Sequence, residues 1–118
     1  VTGIETPEGG AGNDVLEGTD AIAAGYYEKD ILGGGLGGDT FVLGSTTQAY
    51  YIGAANLDFA KITDFDSAVD VIQLHGSSSN YQQQQQNGSL HLSYENELIA
   101  DLENETTINL NGSNIRYV

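Results

Sequence analysis

The sequence contains no cysteine, methionine or tryptophan, one proline, and three basic residues against seventeen acidic ones. Without cysteine, a small extracellular domain cannot use disulfides and needs another stabilising element, for which a bound metal is the usual substitute. The net charge of −14 excludes nucleic acid and anionic membrane surfaces as natural partners. No apolar run approaches membrane-spanning length, so we expect no membrane insertion. The 118 residues suffice for one domain with a modest core.

Glycine is abundant instead, and two glycine-rich segments share one pattern. Residues 9–17 (GGAGNDVLE) and 34–42 (GGLGGDTFV) both fit G-G-x-G-x-D-x-U-x, in which U is a large apolar residue. This nonapeptide is typical of a calcium-binding parallel β-roll. The glycines let a six-residue turn expose its carbonyl oxygens, and the aspartate adds a hard oxygen ligand. A flexible linker is the alternative, but a linker needs no aspartate followed in phase by an apolar residue.

Two weaker copies of the repeat lie between the full ones. Residues 25–33 (GYYEKDILG) keep the first glycine, the aspartate and the apolar residue, and residues 18–22 (GTDAI) form a shortened repeat. The apolar residue of each repeat is predicted to point into the core. These inward positions are Leu16, Ile22, Leu32 and Phe41.

The repeats predict a set of calcium ligands. We expect successive turns to alternate between the two edges of the roll, so that each ion lies between turns two repeats apart. Asp14 then shares an ion with the turn of Asp30, and Asp20 with the turn of Asp39. Carboxylate oxygens and glycine carbonyls together complete six or more ligands. The predicted ligands in the repeats are Gly9, Gly12, Asp14, Asp20, Asp30, Gly34, Gly37 and Asp39.

The segment after the repeats has a recognisable pattern of its own. Residues 61–74 (KITDFDSAVDVIQL) contain I-x-D-F-x-x-x-x-D-x-I-x-L. With the nonapeptides, this segment resembles the C-terminal region of the RTX (repeats-in-toxin) hemolysin-type calcium-binding proteins, a bacterial family exported by type I secretion. With the preceding residues 56–60 (NLDFA), it is most similar to cyanobacterial members. The resemblance covers about residues 9–74 and implies a β-roll that folds with calcium outside the cell, after export by the type I apparatus.

Three aspartates of this segment are candidates for a terminal calcium site. The turn of Asp39 needs a neighbour to close its ion site, and no glycine-rich repeat follows it. We therefore expect Asp64, together with Asp58 or Asp70, to complete that site, because hard cations favour clustered carboxylates. The alternative is that these aspartates cap strands or pair with Lys61, a surface interaction worth at most about 1 kcal/mol.

The second half of the chain has an antiparallel β pattern. Residues 89–94 alternate with period two, and polar turns separate them from strands predicted at 98–102 and 106–110 and from a last strand. Residues 76–88, which include Gln82–Gln86, are predicted to form a low-complexity loop. We expect the strands to pack as a cap that shields the open end of the roll.

The predicted fold is all-β, with a short parallel calcium-binding β-roll followed by an antiparallel β cap. Residues 1–8 are a lead-in, residues 9–44 the roll, and residues 45–118 the post-roll segment and cap, which fold as one unit with the roll. The predicted function is to bind calcium and to fold on binding it. The chain is predicted to form the C-terminal part of a secreted bacterial protein at an extracellular or cell-surface location. The chain is not predicted to be an enzyme, because no serine lies in a G-x-S-x-G elbow and His75 and His91 fit turn and strand-face roles.

Two pairs of adjacent tyrosines support an alternative function. Exposed rings at Tyr26–Tyr27 or Tyr50–Tyr51 would stack on sugars, which would make the chain a calcium-dependent adhesin or glycan-binding module with a surface glycan as its partner. Buried rings would favour a structural role, in which one ring of each pair packs on the roll. The exposure of these rings therefore separates the two functions.

Overall fold

Short strands end the two full nonapeptides. The computed structural model describes residues 8–18, 29–52 and 58–118. Within these ranges, β1 (Val15–Leu16) and β3 (Thr40–Val42) follow the glycine turns. The other strands described are β2 (Lys29–Leu32), β4 (Phe59–Ile62), β5 (Val71–Leu74), β6 (Tyr81–Gln86), β7 (Ser89–Tyr94), β8 (Glu97–Glu103) and β9 (Ile115–Tyr117). A short 3-10 helix, Ser78–Asn80, precedes β6. No helix in the described ranges is long and apolar enough to cross a membrane.

The described strands form two sheets, and the strands from β1 to β5 belong to them in alternation. One sheet has the order β1-β3-β5-β9 and is parallel throughout. The other has the order β2-β4-β8-β7-β6, in which β2, β4 and β8 are parallel and β8, β7 and β6 are antiparallel. From β1 to β5, the odd-numbered strands belong to the parallel sheet and the even-numbered strands to the mixed sheet. The turns that lead from the mixed sheet into the parallel sheet therefore lie along one edge. Parallel pairing continues well past residue 44, as far as β9.

Each sheet contributes a row of inward side chains to a common core. The rows are Leu16, Phe41, Ile72 and Ile115 in the parallel sheet and Leu32, Ile62 and Leu102 in the mixed sheet. Burying each of these side chains stabilises the fold by roughly 1.5–3 kcal/mol. The predicted inward positions Leu16, Leu32 and Phe41 are therefore confirmed, and Ile22 lies outside the described residues.

The prediction of a loop at residues 76–88 is wrong for its second half. Residues Gln82–Gln86 belong to β6, which pairs with β7 along its whole length. The turn between the two strands is Asn87–Gly88, with φ angles of 51° and 83°. Asn-Gly is the preferred sequence for a two-residue hairpin because both positions need positive φ. This local signal outweighs the weak strand propensity of glutamine.

Two further differences concern the end of the chain. Residues 106–110, predicted as a strand, form no regular structure. Gln83 binds this segment as a peptide group would, because its Nε2 donates to the Ile108 carbonyl (2.9 Å) and its Oε1 accepts from the Ile108 N–H (3.0 Å). The last strand, β9, was expected in an antiparallel meander but pairs parallel with β5. Antiparallel pairing among the described strands is thus limited to β6, β7 and β8.

Aromatic side chains join the two sheets near their C-terminal strands. The Tyr81 ring lies 5.2 Å from Tyr94 and 6.1 Å from Tyr117, measured between ring centroids. The Tyr81 hydroxyl donates to the His75 carbonyl (2.6 Å), and burial raises the pKa of that hydroxyl. The His75 ring contacts the Ser45 carbonyl through Nδ1 (2.8 Å). His75 therefore has the turn role predicted from the sequence.

Candidate cation site at the aspartate edge

Three turns stack along the edge where the chain enters the parallel sheet. They end at Asp14, Asp39 and Asp70, each directly before β1, β3 or β5. The strands are in register, with Val15 opposite Thr40 and Thr40 opposite Val71, so the three aspartates form one column. We call this surface the aspartate edge and define it by the turns 9–14, 34–39 and 64–70.

Hydrogen bonds connect the aspartates of this column in one direction. The Asp14 N–H donates to Asp39 Oδ1 (2.9 Å), and the Asp39 N–H donates to Asp70 Oδ1 (2.8 Å). Asp70 Oδ2 accepts from the Asp66 N–H (2.8 Å) within its own turn. Neighbouring strands lie about 4.8 Å apart. The fold therefore stacks three acidic residues at close spacing.

The carboxylate of each nonapeptide folds back over the first glycine of its turn. A Cβ added at Gly9 would lie 2.5 Å from Asp14 Oδ2, and one added at Gly34 would overlap Asp39 Oδ2. A side chain at either position would displace the carboxylate. Gly9 and Gly34 are thus required for close approach, which is a different role from the carbonyl ligation predicted for them.

Glycine carbonyls point from one turn toward the next. A Cβ added at Gly35 would meet the carbonyl oxygen of Gly10, and one added at Gly37 would meet the carbonyl oxygen of Gly12. All four glycines have positive φ, between 76° and 98°. The Gly12 carbonyl was a predicted ligand and faces the gap between turns. The Gly10 carbonyl also faces this gap, but it was not predicted as a ligand. Its place in the repeat, two residues before Gly12, could have indicated it.

Two carboxylate oxygens at this edge lack a hydrogen-bond partner. Asp14 Oδ2 and Asp39 Oδ2 are buried, and no donor reaches either of them within the described ranges. Buried charged groups normally pair with an opposite charge or coordinate a metal. Both lysines are engaged elsewhere, because Lys61 pairs with Glu103 (3.2 Å) and the Lys29 ammonium lies over the Phe59 ring (5.6 Å). The donor set is one of hard oxygens, which fits calcium.

Side chains alone do not make a metal centre at this edge. In the part of the chain that the structure describes, no three His, Cys, Asp or Glu side chains converge as metal ligands. A cation here would therefore take some of its ligands from backbone carbonyls, which calcium accepts together with carboxylates. The Gly10 and Gly12 carbonyls and the free oxygens of Asp14 and Asp39 are the groups available.

The predicted pairing of Asp14 with the Asp30 turn is wrong. Within the described residues only β2 lies between β1 and β3, so both full nonapeptides fall on the same edge and Asp14 meets Asp39. Asp30 is instead fully buried inside β2, on the same face as Leu32. Its Oδ2 accepts from the Tyr51 hydroxyl (2.7 Å). Asp20, predicted to share an ion with the Asp39 turn, lies outside the described residues.

The three aspartates of the segment after the repeats occupy two separate places. Asp64 lies beside the Asp39 turn as expected, with Oδ1 accepting from the Gly34 N–H (2.9 Å) and Oδ2 from the Gly35 N–H (2.8 Å). Asp70 is in the column described above. Asp58 is buried at the start of β4, whereas Asp64 follows its end, so roughly 13 Å of strand separates them at about 3.3 Å per residue. Asp58 therefore does not join the aspartate edge.

The second tyrosine pair is not available to a surface ligand. Tyr50 and Tyr51 are 2% and 0% exposed. The Tyr50 hydroxyl donates to Glu17 Oε2 (3.1 Å), and Tyr51 contacts Asp30 as described. These rings have the structural role that burial predicts. The first pair, Tyr26–Tyr27, lies outside the described residues.

Comparison with known proteins assigns no family to this chain. No family model matches it, and a search of curated proteins finds no significant match. Function is therefore inferred from the residues of the aspartate edge.

Proposed function

We propose that this chain is a calcium-binding module of the RTX type, in which the two sheets form a short β-roll that folds when calcium binds. The observation that carries this proposal is the pair of buried, unpartnered oxygens on Asp14 and Asp39, which lie in adjacent turns, with the Gly10 and Gly12 carbonyls facing from one turn to the other. A folded chain without a cation would keep these like charges close together and poorly solvated, which is costly.

The first ion belongs between turns 9–14 and 34–39. Asp14 and Asp39 would hold it through their carboxylates, and Gly10 and Gly12 through their carbonyls. When bound, calcium supplies the positive charge that offsets the repulsion within the column. The chain itself fixes the spacing of the turns through the Asp14–Asp39 hydrogen bond (2.9 Å).

A second ion belongs between turns 34–39 and 64–70, with Asp64 and Asp70 as its carboxylate ligands. Their oxygens already accept backbone N–H groups at 2.8–2.9 Å. Each carboxylate oxygen has two lone pairs, so one hydrogen bond leaves capacity for a cation. The hydrogen bonds hold the glycine turn at a fixed distance from the segment that follows β4.

Calcium concentration would then control where the chain folds. Extracellular modules bind calcium at about 10⁻⁴ to 10⁻³ M, far above cytosolic calcium. The net charge of −14 opposes folding inside the cell, and calcium relieves this repulsion outside. We therefore place the module in a secreted bacterial protein, exported by type I secretion to the extracellular space or cell surface, whose activity resides in other parts of that protein.

Native mass spectrometry with and without chelator tests this function. The chain should bind calcium in excess calcium and lose it in chelator, and Asp39→Asn should bind at least one ion fewer. Glu95→Gln is the matched control, because Glu95 is an exposed acid in the turn between β7 and β8 that accepts from Asn80 (3.2 Å). An ion count that is zero in calcium, or equally reduced in both variants, would contradict the proposal.

A further inference from the structure

The outer face of the mixed sheet carries a cleft that is separate from the aspartate edge. Its volume is about 640 Å³, within the roughly 300–1,000 Å³ range of small-molecule sites. The side chains that define it come from four adjacent strands. They are Gln82, Gln84 and Gln86 of β6, His91 of β7, Asp101 of β8 and Phe59 of β4.

Strand alternation explains why these polar groups converge. Leu90 and Leu92 of β7 point into the core, so His91 points outward. Pairing places Gln84 opposite His91 and His91 opposite Asp101, which makes one cross-strand row. The glutamines of β6 were predicted to form a loop. In the strand, every second glutamine places its amide side chain on this face.

The charges around the cleft exclude anionic ligands. Among the described residues that line it there is no lysine or arginine. Lys61 lies opposite Asp101 in the sheet, but its ammonium pairs with Glu103 (3.2 Å). Asp101 Oδ1 is buried without a hydrogen-bond partner among the described residues, and Oδ2 lies 3.8 Å from His91 Nε2. A phosphate, carboxylate or acidic sugar would therefore meet repulsion without compensation.

The remaining chemistry matches hydroxyl groups. Glutamine amides both donate and accept, as sugar hydroxyls do, and a carboxylate accepts strongly from hydroxyl donors. Phe59 adds an apolar ring beside the polar row, which suits the C–H face of a pyranose. The Lys29 ammonium lies 5.6 Å from the centroid of this ring, and Asp101 is the one acidic side chain among the described residues that line the cleft.

We propose that this cleft binds a neutral oligosaccharide, with Gln84 and Asp101 as hydrogen-bonding residues and Phe59 as the stacking surface. The site uses none of the tyrosines and is independent of the proposed calcium ligands. We assign it binding rather than hydrolysis, because glycoside hydrolysis canonically uses a pair of carboxylates and Asp101 is the one acidic side chain among the described residues that line the cleft.

Nuclear magnetic resonance titration of the full chain in calcium tests the proposal. The probes are maltotriose, cellotriose and triacetylchitotriose, each to 10 mM, with trigalacturonic acid as the acidic comparison. We expect at least one neutral trisaccharide to shift backbone and glutamine side-chain resonances of β6, β7 and β8, and trigalacturonic acid to shift none. No binding by any neutral trisaccharide in a chain with a folded spectrum would overturn the proposal, and would leave the calcium function unaffected.

Two variants on the same strand make the test residue-specific. Gln84→Ala removes one hydrogen-bonding group and should weaken binding about tenfold. Gln85→Ala alters a side chain that does not line the cleft and should leave affinity unchanged. Asp101→Asn should weaken binding at least as much as Gln84→Ala, because it replaces a charged acceptor. Equal weakening by Gln84→Ala and Gln85→Ala would overturn the assignment of this face.

Discussion

Replacing Asp39 by alanine is expected to destabilise the chain in a way that depends on calcium. Asp39 is 1% exposed and accepts the Asp14 N–H (2.9 Å). Alanine removes this acceptor and leaves a partly buried donor unsatisfied, which costs about 1–3 kcal/mol. The same change removes a carboxylate ligand from the proposed first calcium site.

The calcium contribution can be worked out from mass action. A site with a Kd of about 10⁻⁴ M, saturated at 10 mM calcium, contributes about 2.7 kcal/mol to the free energy of unfolding. At 1 mM the same site contributes about 1.4 kcal/mol. The difference in unfolding free energy between the wild-type chain and Asp39→Ala should therefore grow by about 1.3 kcal/mol between these concentrations. At 10 mM it should reach about 4–6 kcal/mol in total.

Urea unfolding at 1 and 10 mM calcium measures this difference, with both chains in the same concentration of a stabilising osmolyte so that the variant is folded before urea is added. Asp39→Asn separates the two contributions, because its amide oxygen can still accept the Asp14 N–H while the charge is lost. Its loss of unfolding free energy should grow with calcium as in Asp39→Ala, but the part of the loss that does not depend on calcium should be smaller. Glu95→Gln should differ from the wild type by a small amount that does not change with calcium. A calcium-independent loss in Asp39→Ala would refute the reasoning and assign Asp39 a hydrogen-bonding role alone.

Three other variants test separate parts of the account. Gly37→Ala should lower the free energy of unfolding by about 1–3 kcal/mol more than Gly88→Ala in urea unfolding. Both glycines have positive φ, but only at Gly37 would a Cβ meet a neighbouring turn. Equal losses would contradict the stacking of the turns. Tyr51→Phe removes the hydroxyl that donates to buried Asp30 and should lower the free energy of unfolding by about 1–3 kcal/mol by the same method. An unchanged stability would contradict this role of Tyr51. Asp64→Asn should show one fewer calcium by native mass spectrometry, whereas an unchanged ion count and affinity would limit Asp64 to ordering the glycine turn.

The local parts of the fold could be predicted from the sequence. Within one nonapeptide, glycines, aspartate and apolar residue act over nine neighbouring positions, so the strands at β1 and β3 and the inward side chains Leu16 and Phe41 were predicted correctly. The proximity of Asp64 to the Asp39 turn was also predicted, because that turn needed a neighbour and Asp64 lies one strand, β4, beyond the last repeat. The strand and core predictions depend on short-range sequence alone.

The pairing of turns could not be predicted in the same way. Which edge a turn occupies depends on how many strands precede it, and the weak repeats between the full ones do not specify that number. Asp14 was therefore given the wrong partner, and Asp30, which has the motif spacing, is buried against Tyr51 instead. The motif shows where an aspartate is placed along a strand, but not which turns become neighbours.

The glutamine strand was missed for a different reason. Composition alone made residues 82–86 resemble a loop, although Asn87–Gly88 marked a hairpin. Gln83 and Ile108 are hydrogen-bonded although they lie 25 residues apart in the sequence, so no local sequence pattern predicts this contact. Candidate binding residues on the outer face of β6 therefore became visible only once the pairing of β6 with β7 was known.

The most direct test of calcium-driven folding is a calcium titration followed by far-ultraviolet circular dichroism, starting in excess chelator. We expect a coil spectrum in chelator, because 14 net negative charges oppose folding and no disulfide is present to hold the chain. A β spectrum should then develop with a midpoint of about 10⁻⁴ to 10⁻³ M calcium. A β spectrum in chelator, with a cooperative thermal melt that calcium does not change, would contradict the account.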